Sequence, residues 1–361
     1  MSRKQLPSHD EIVAWASELG FTGCGIAALD VSAAAPGLRD WLAGGFHGEM
    51  DYLARHATLR CEPRQLVPGA VSAIMVALDY APDDPEWVAA AWANLGDARL
   101  AYVSRYALGR DYHKLVRNRL QKLAERISAE IGDFGYRAFC DSAPVMEVEL
   151  ARQAGLGWRG KHTLLLDRRR GSTFFLGALF TDLALPADEP VTEHCGNCRR
   201  CLEVCPTQAI VAPYRLDATR CISYLTIELS GSIPPPLRSL IGNRVYGCDD
   251  CQLACPWNRW ARSAISSDFA PRHGLDATEL AELFAWTGEE FATRMAGSAI
   301  ARIGHERWLR NIAVALGNMA TLAPPGAPRL RAIVALQQRA NHPSAMVREH
   351  VQWALACHGG G

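Results

Sequence analysis

The chain has no apolar run long enough to cross a bilayer. Its longest, around Ala73–Leu78 and Phe174–Phe180, fall far short of the roughly 20 residues a membrane helix needs. It has no excess of charge: 38 Lys and Arg balance 38 Asp and Glu. That balance argues against indiscriminate polyanion binding and leaves room for local basic patches. The opening segment, Met1 to Asp10, is polar and lacks the apolar core of a secretion signal. Together these absences predict a soluble, cytoplasmic chain with no membrane partner. What is present is an ordinary globular composition, 49% hydrophobic and 21% charged over 361 residues. That length suits two or three domains.

Cysteine is the abundant exception, with 12 in the chain. Cys195, Cys198, Cys201 and Cys205, followed by Pro206, form a C-x2-C-x2-C-x3-C-P run. This is the bacterial-ferredoxin spacing, in which three thiolates hold one iron–sulfur cubane and the fourth crosses to another. Cys248, Cys251 and Cys255, with Pro256, repeat the pattern one cysteine short. Cys221 lies between the runs and supplies the missing thiolate. The crossover rule assigns Cys195, Cys198, Cys201 and Cys255 to one 4Fe–4S cluster. It assigns Cys205, Cys221, Cys248 and Cys251 to a second. Zinc sites use separated ligand pairs and need no Pro after each closing cysteine. Disulfides do not suit a reducing compartment. Cys24, Cys61, Cys140 and Cys357 are scattered and read as small core residues.

Before the cluster region, strands alternate with helices, which predicts an α/β domain. Ser8 to Glu11 is a capping box ahead of a first helix. Strands are expected at 72–80, 100–103, 136–140, 163–167 and 172–180. A long helix follows residues 105–114, with its apolar stripe at Val116, Leu120, Leu123, Ile127 and Ile131. Residues 186–193 read as a linker. After 267 the chain turns helical, and the segments at 307–320 and 346–356 look alike, as in HEAT-type repeats.

Asp141 ends a predicted strand and is followed by Ser-Ala-Pro-Val-Met-Glu147. In open α/β folds ligands bind at such strand ends. Desolvation there raises a carboxyl's pKa and suits it to be a general acid; the competing role is to cap the next helix through Asp141 or Ser142. Gly155 to Gly160 matches G-x-G-x-x-G but follows a helix, so it fails as a dinucleotide fingerprint. Its glycines are read as a tight loop against a large cofactor. Asp111-Tyr-His113 begins like a cobalamin signature but lacks its glycine, so His113 is expected only to start a helix. Basic residues cluster at 105–126, at 152–170 and along the C-terminal helices, where they suggest a surface for a polyanion.

Seven stretches together resemble the epoxyqueuosine reductase family. They are HGEMDYL (47–53), SRYALGRDYHK (104–114), DSAPVMEVELA (141–151), GLGWRGKHTLL (155–165), CGNCRRCLEVCPTQAI (195–210), RCISYLTIE (220–228) and GCDDCQLACPWN (247–258). The resemblance implies a nitroreductase-like α/β cobalamin domain over 1–186. It implies a ferredoxin-like double-cluster module over 187–262 and HEAT-like α-helical repeats over 263–361. The implied reaction reduces epoxyqueuosine to queuosine at the wobble position of tRNA, with Asp141 as proton donor. The implied cofactors are base-off cobalamin, lacking a protein His ligand, and two 4Fe–4S clusters. Arg60, Ser104, Asp141, Trp158, Lys161, His162, Leu165, Ser223 and Asp249 match the cobalamin site. Arg302, Arg310 and Arg348 are expected to grip the tRNA anticodon stem-loop. A flavodoxin or ferredoxin would donate electrons to a monomeric enzyme. The alternatives are a pure electron-transfer protein, a reductive dehalogenase, which commonly carries an export signal, and a helical scaffold, which has no use for eight such cysteines.

Overall fold

The computed structural model describes residues 6–261, 263–264 and 266–359. Ser8 starts the first helix, α1 (His9–Glu18), as its spacing predicts: its hydroxyl accepts from the Glu11 N–H at 3.3 Å and Glu11 accepts from the Ser8 N–H at 2.8 Å. The elements that position the site then follow in order: β1 (Gly23–Ala28), β2 (Ser72–Asp79), β3 (Tyr102–Val103), α2 (Tyr112–Ile131), β4 (Tyr136–Phe139), α3 (Glu147–Gln153), β5 (Phe174–Thr181) and β6 (Arg244–Tyr246). Three longer helices close the chain: α4 (Gly304–Leu322), α5 (Ala327–Gln338) and α6 (Ala345–Gly359).

One sheet runs in the order β1-β2-β5-β4, and every pair in it is antiparallel. Strand–helix alternation suggests a parallel sheet; the chain departs from that because β2 pairs with β5 and not with the next strand of the sheet in sequence. Val116, Leu120, Leu123 and Ile127 of α2 are fully buried on one face with Ile74, Val76 and Leu179. Leu150 and Ala151 of α3 cover the other face with Met75, Ala77 and Phe180. Helix α2 lies close because residue 177 is glycine: a Cβ there would meet Val116 Cγ1 at 2.6 Å.

Strand β1 escapes the sequence pattern because two glycines and a cysteine dilute its apolar signal. The strand expected at 100–103 is short and lies outside the main sheet. It pairs in parallel with β6, bringing the cluster segment against the first half of the chain. Pro144 does not open a helix. Residues 141–146 form a tight turn, and α3 begins at Glu147 with no side-chain cap.

Ala98, Val103 and Leu108 share one core with Val245, Tyr246, Trp308, Ile312 and Leu316. This core draws on chain from before 186, from between 186 and 262, and from after 262; residue 262 itself lies outside the described set. Helix α4 is buried at every position from Trp308 to Met319 and packs against α6. Among the described residues, no helix is long and apolar enough to cross a membrane.

Candidate active site and cluster module

Asp141 follows β4 in the left-handed backbone region, with φ 59°. Few residues other than glycine tolerate this, and such strain concentrates at functional sites. Its N–H donates to Glu147 Oε1 at 2.6 Å, so the first residue of α3 pins the turn. Two neighbours from the start of α2 reach the carboxylate. Tyr112 donates its hydroxyl to Asp141 Oδ2, and His113 Nε2 lies 3.3 Å from the same oxygen. The other ring nitrogen, Nδ1, is 2.7 Å from Asp111 Oδ1, which also caps α2 by accepting from the His113 N–H at 3.0 Å. Phe175 of β5 stacks on Tyr112 at 4.1 Å and holds the ring in place.

These contacts determine where the protons rest. Burial alone would push His113 down, but the bonds to Asp111 and Asp141 outweigh it and lift its pKa to about 9. Desolvation by surrounding protein atoms pushes Asp141 up even though its side chain is 55% exposed, yet the bonds from His113 and Tyr112 prevail and hold it below the usual carboxylate value. Glu147 is pushed up to about 8 by burial and by the charge on Asp141. At neutral pH the imidazole of His113 and the carboxyl of Glu147 carry protons, while Asp141 is ionised. This corrects the sequence expectation in two ways. Desolvation does not leave Asp141 protonated, and His113 does more than begin a helix.

Arg60 donates Nη1 to the Val145 carbonyl at 3.1 Å and steadies the same turn. Burial raises the pKa of the Tyr52 phenol, and the charges of Glu228, Arg302, Asp141 and Arg60 also act on it, so these side chains lie near one another. Arg302 is paired with Glu228 at 2.7 Å and is 45% exposed. It thus keeps part of its guanidinium open to solvent beside the Asp141 turn.

The other two C-terminal arginines differ. Arg310 is wholly buried. Its guanidinium donates to the Leu225, Leu229 and Gly231 carbonyls and to Asn311 Oδ1, at 2.6–3.0 Å. It has no surface to offer an RNA, because its donors satisfy the ends of neighbouring segments. Arg348 donates to the carbonyls of His342 and Pro343, at 2.7 and 2.8 Å, and braces the entry to α6. A basic groove that was not singled out residue by residue lies one turn beyond His113, lined by the exposed Lys114, Arg117 and Arg137.

Among the described residues no three His, Cys, Asp or Glu side chains are grouped as a metal site, but charges of the predicted cysteines act on one another. Burial lifts Cys201 and Cys255 to about 11, with the charges of Cys195 and Cys198 adding to both. Burial raises Cys248, Cys251 and Cys221, and their nearby thiolates come from one another and from Cys205. Cys251 also senses Cys201, so the two groups adjoin. None of the twelve cysteines is in a disulfide.

The remaining predicted cobalamin residues divide. Asp249 is buried and accepts from Tyr102 at 2.9 Å, from the Arg105 N–H at 2.7 Å and from Ser104. Ser104 and Asp249 thus spend their side chains on each other, beside Cys248. Ser223 follows the ligand Cys221, and a backbone N–H of Ser223 points at that thiol. Leu165 is buried in a hairpin opposite Arg159. Lys161 donates to the Gly196 and Cys198 carbonyls, at 2.5 and 2.9 Å, so it braces the cluster loop. Trp158 packs on Cys195 and Cys255. The glycines nearby serve the protein's own packing: a Cβ at Gly157 would meet the Leu166 carbonyl at 2.1 Å.

Several buried polar atoms have no protein partner, among them Arg60 Nε, Trp158 Nε1 and His162 Nε2. His162 Nδ1 accepts from the Leu164 N–H at 3.2 Å. Burial holds His162 neutral by lowering its pKa to about 4, so Nε2 carries the hydrogen. Unpaired buried donors cost about 1–3 kcal/mol each. Their presence fits large polar-edged groups bound at this place, as the resemblance implies.

Comparison with known proteins first gives the class. Residues 194–258 match the 4Fe-4S double cluster binding domain, which makes this a protein that carries iron–sulfur clusters. Residues 60–142 match "Epoxyqueuosine reductase QueG, DUF1730". The epoxyqueuosine reductase of Burkholderia pseudomallei is 58% identical over 370 residues, covering 95% of this chain and 90% of that one. That of Escherichia coli K12 is 53% identical over 346 residues, covering 96% and 88%. A crystal structure of epoxyqueuosine reductase with a tRNA-Tyr epoxyqueuosine-modified stem loop superposes with TM-score 0.83 at 25% identity, over 97% of this chain and 90% of that one. The chain belongs to the epoxyqueuosine reductase family.

Proposed function

We propose that this protein reduces epoxyqueuosine in tRNA to queuosine, the last step in making that nucleoside. The observation that carries the reading is the Asp111–His113–Asp141–Tyr112 array at the strained turn after β4. Converting an epoxide to an alkene and water takes two electrons and two protons. His113 and Tyr112 present their protons to one oxygen of Asp141, and Asp141 is the exposed member, at 55%. Asp141 therefore hands the departing epoxide oxygen a proton that His113 stores. Glu147 and Arg60 hold the turn so that this carboxylate keeps its aim.

Two 4Fe–4S clusters, on the two cysteine groups, and base-off cobalamin complete the site. Arg60 Nε and His162 Nε2 are the buried donors that would meet the corrin edge, and the Ser104–Asp249–Tyr102 set would separate it from the Cys248 cluster. Trp158 and Lys161 serve the other cluster. When bound there, cobalamin would supply the reducing electrons for the epoxide, while Asp141 and His113 supply the proton. Substrate tRNA enters with its anticodon base splayed beside the Asp141 turn. Arg302 stands there too, and Lys114, Arg117 and Arg137 contact phosphates. The three-part division at 186 and 262, a nitroreductase-like sheet domain and HEAT-like C-terminal helices belong to the same reading, as do a cytoplasmic location, a monomer and an external electron donor.

Anaerobic turnover tests this. Protein reconstituted with iron, sulfide and cobalamin is given a strong reductant and epoxyqueuosine-containing tRNA, and the nucleosides are weighed by mass spectrometry. Loss of one oxygen that depends on cobalamin is expected; no loss with all cofactors bound overturns the proposal.

A further inference from the structure

The two cysteine groups differ at their outermost member: Cys198 of the first is exposed, while all four of the second are only partly exposed. Cys251 and Cys248 act on buried Tyr80 and Tyr102. Electrons that reach the site from outside therefore have their shortest entry at the Cys195–Cys201 loop. The surface around that loop is distinctive. Arg168, Arg169, Arg199, Arg200 and Arg259 are all exposed there. Arg168 donates to His194 Nε2 at 3.1 Å, immediately before Cys195. His194 meets Trp158 edge-on at 5.0 Å; Trp158 meets Trp257 at 5.1 Å; and Trp257 meets Trp260 at 5.5 Å. This aromatic line runs from the cluster cysteines to Trp260, which is 48% exposed and stacked under Arg259 at 3.8 Å. Two exposed acids flank the loop: Glu193, which accepts from the Tyr214 hydroxyl at 3.2 Å, and Glu203, which faces Arg199 at 3.8 Å.

We infer that this face docks the electron donor, a small acidic protein carrying a one-electron cofactor near its surface. The inference rests on the proposed reduction and adds to it the partner's landing site. A ring of arginines in a chain of zero net charge is a directed field that steers an acidic partner. An exposed Trp with a stacked Arg is the side-chain pairing that anchors protein interfaces. The side chains that contact Asp141, Tyr112 and His113, are not part of this face. Each encounter passes one electron from the reduced carrier to the outer cluster, oxidising the carrier. Two encounters and two protons serve each epoxide removed.

The test uses reconstituted holoenzyme and reduced flavodoxin as the probe. Arg169→Glu/Arg199→Glu/Arg200→Glu is compared with the parent at matched iron content. Cluster reduction is followed by stopped-flow absorbance without RNA, at low salt. A fall of about tenfold or more in the flavodoxin rate, with a flattened salt dependence, is expected. Reduction by dithionite, dithionite-driven turnover and stem-loop affinity should be unchanged. Arg169→Glu alone, outside the 195–205 cysteine segment in sequence, should slow flavodoxin by a smaller factor and guards against a damaged cluster. An unchanged flavodoxin rate, or a loss confined to stem-loop affinity, overturns the inference. Failure of dithionite-driven turnover in the parent protein counts instead against the proposed reaction.

Discussion

Two regions of this molecule bury charge in opposite ways. At the C-terminal helices, Arg310 of α4 and Arg238, which reaches across to Glu349 of α6, give their donors to carbonyl, amide and carboxylate oxygens at 2.5–3.0 Å. Asn311 and Asn318 likewise bridge segments through their amides. Around Asp141, charges are crowded and the backbone is strained. His113 lies between two carboxylates, Glu147 holds a proton it would release in water, and Arg60 keeps a nitrogen unpaired. The first arrangement joins elements. The second stores protons and readiness to bind, at a cost in stability that the packed sheet beneath it offsets. Arginine count alone does not separate the two; the number of satisfied donors does.

Substitutions can break this contrast. Asp141→Asn should lower turnover by roughly 10²-fold or more while clusters, cobalamin and melting temperature stay near those of the parent. Full activity would remove Asp141 from proton transfer. Arg310→Met should do the reverse. It strands several buried carbonyls and should cost about 3 kcal/mol or more, read by denaturant unfolding, with stem-loop affinity of the folded fraction unchanged. Lys114→Ala and Arg117→Ala should each weaken stem-loop binding and lower the slope of log K against log salt by about 0.7–0.9. Arg348→Ala should leave that slope alone.

The smallest effect is expected from Glu147→Gln, which keeps an acceptor for the Asp141 N–H and mimics the protonated acid. Because the folded-state pKa of Glu147 is raised, its favourable contribution is full below about 4.5 and is lost as pH rises through about 8. The variant's melting temperature should therefore decline less than the parent's across that window.

The same contrast explains what was legible in the sequence. The cysteine groups were readable because ligand spacing along a loop is a local property. The α2 stripe was readable for the same reason, and Val116, Leu120, Leu123 and Ile127 are all fully buried. Asp141 could be picked out as a candidate, but its protonation could not, since that depends on Tyr112 and His113 arriving from another element. His113 left a usable sign: an Asp-Tyr-His triplet at a helix start places two titratable groups together. The burial of Arg310 was also foreshadowed. The segment 308–319 carries a single charge among twelve residues, and a helix apolar on all sides is buried on all sides. The antiparallel strand order had no local signal, because it is decided by which distant strands pair.

The most direct test of the account is the pH dependence of a single turnover in fully reduced holoenzyme. With its pKa lifted to about 9, His113 holds its proton through neutral pH and loses it above. The rate should be level near neutrality and fall as pH passes about 9, and His113→Gln should be slower and lack that descending limb. An identical profile in parent and variant would contradict the claim that His113 stores the proton that Asp141 delivers.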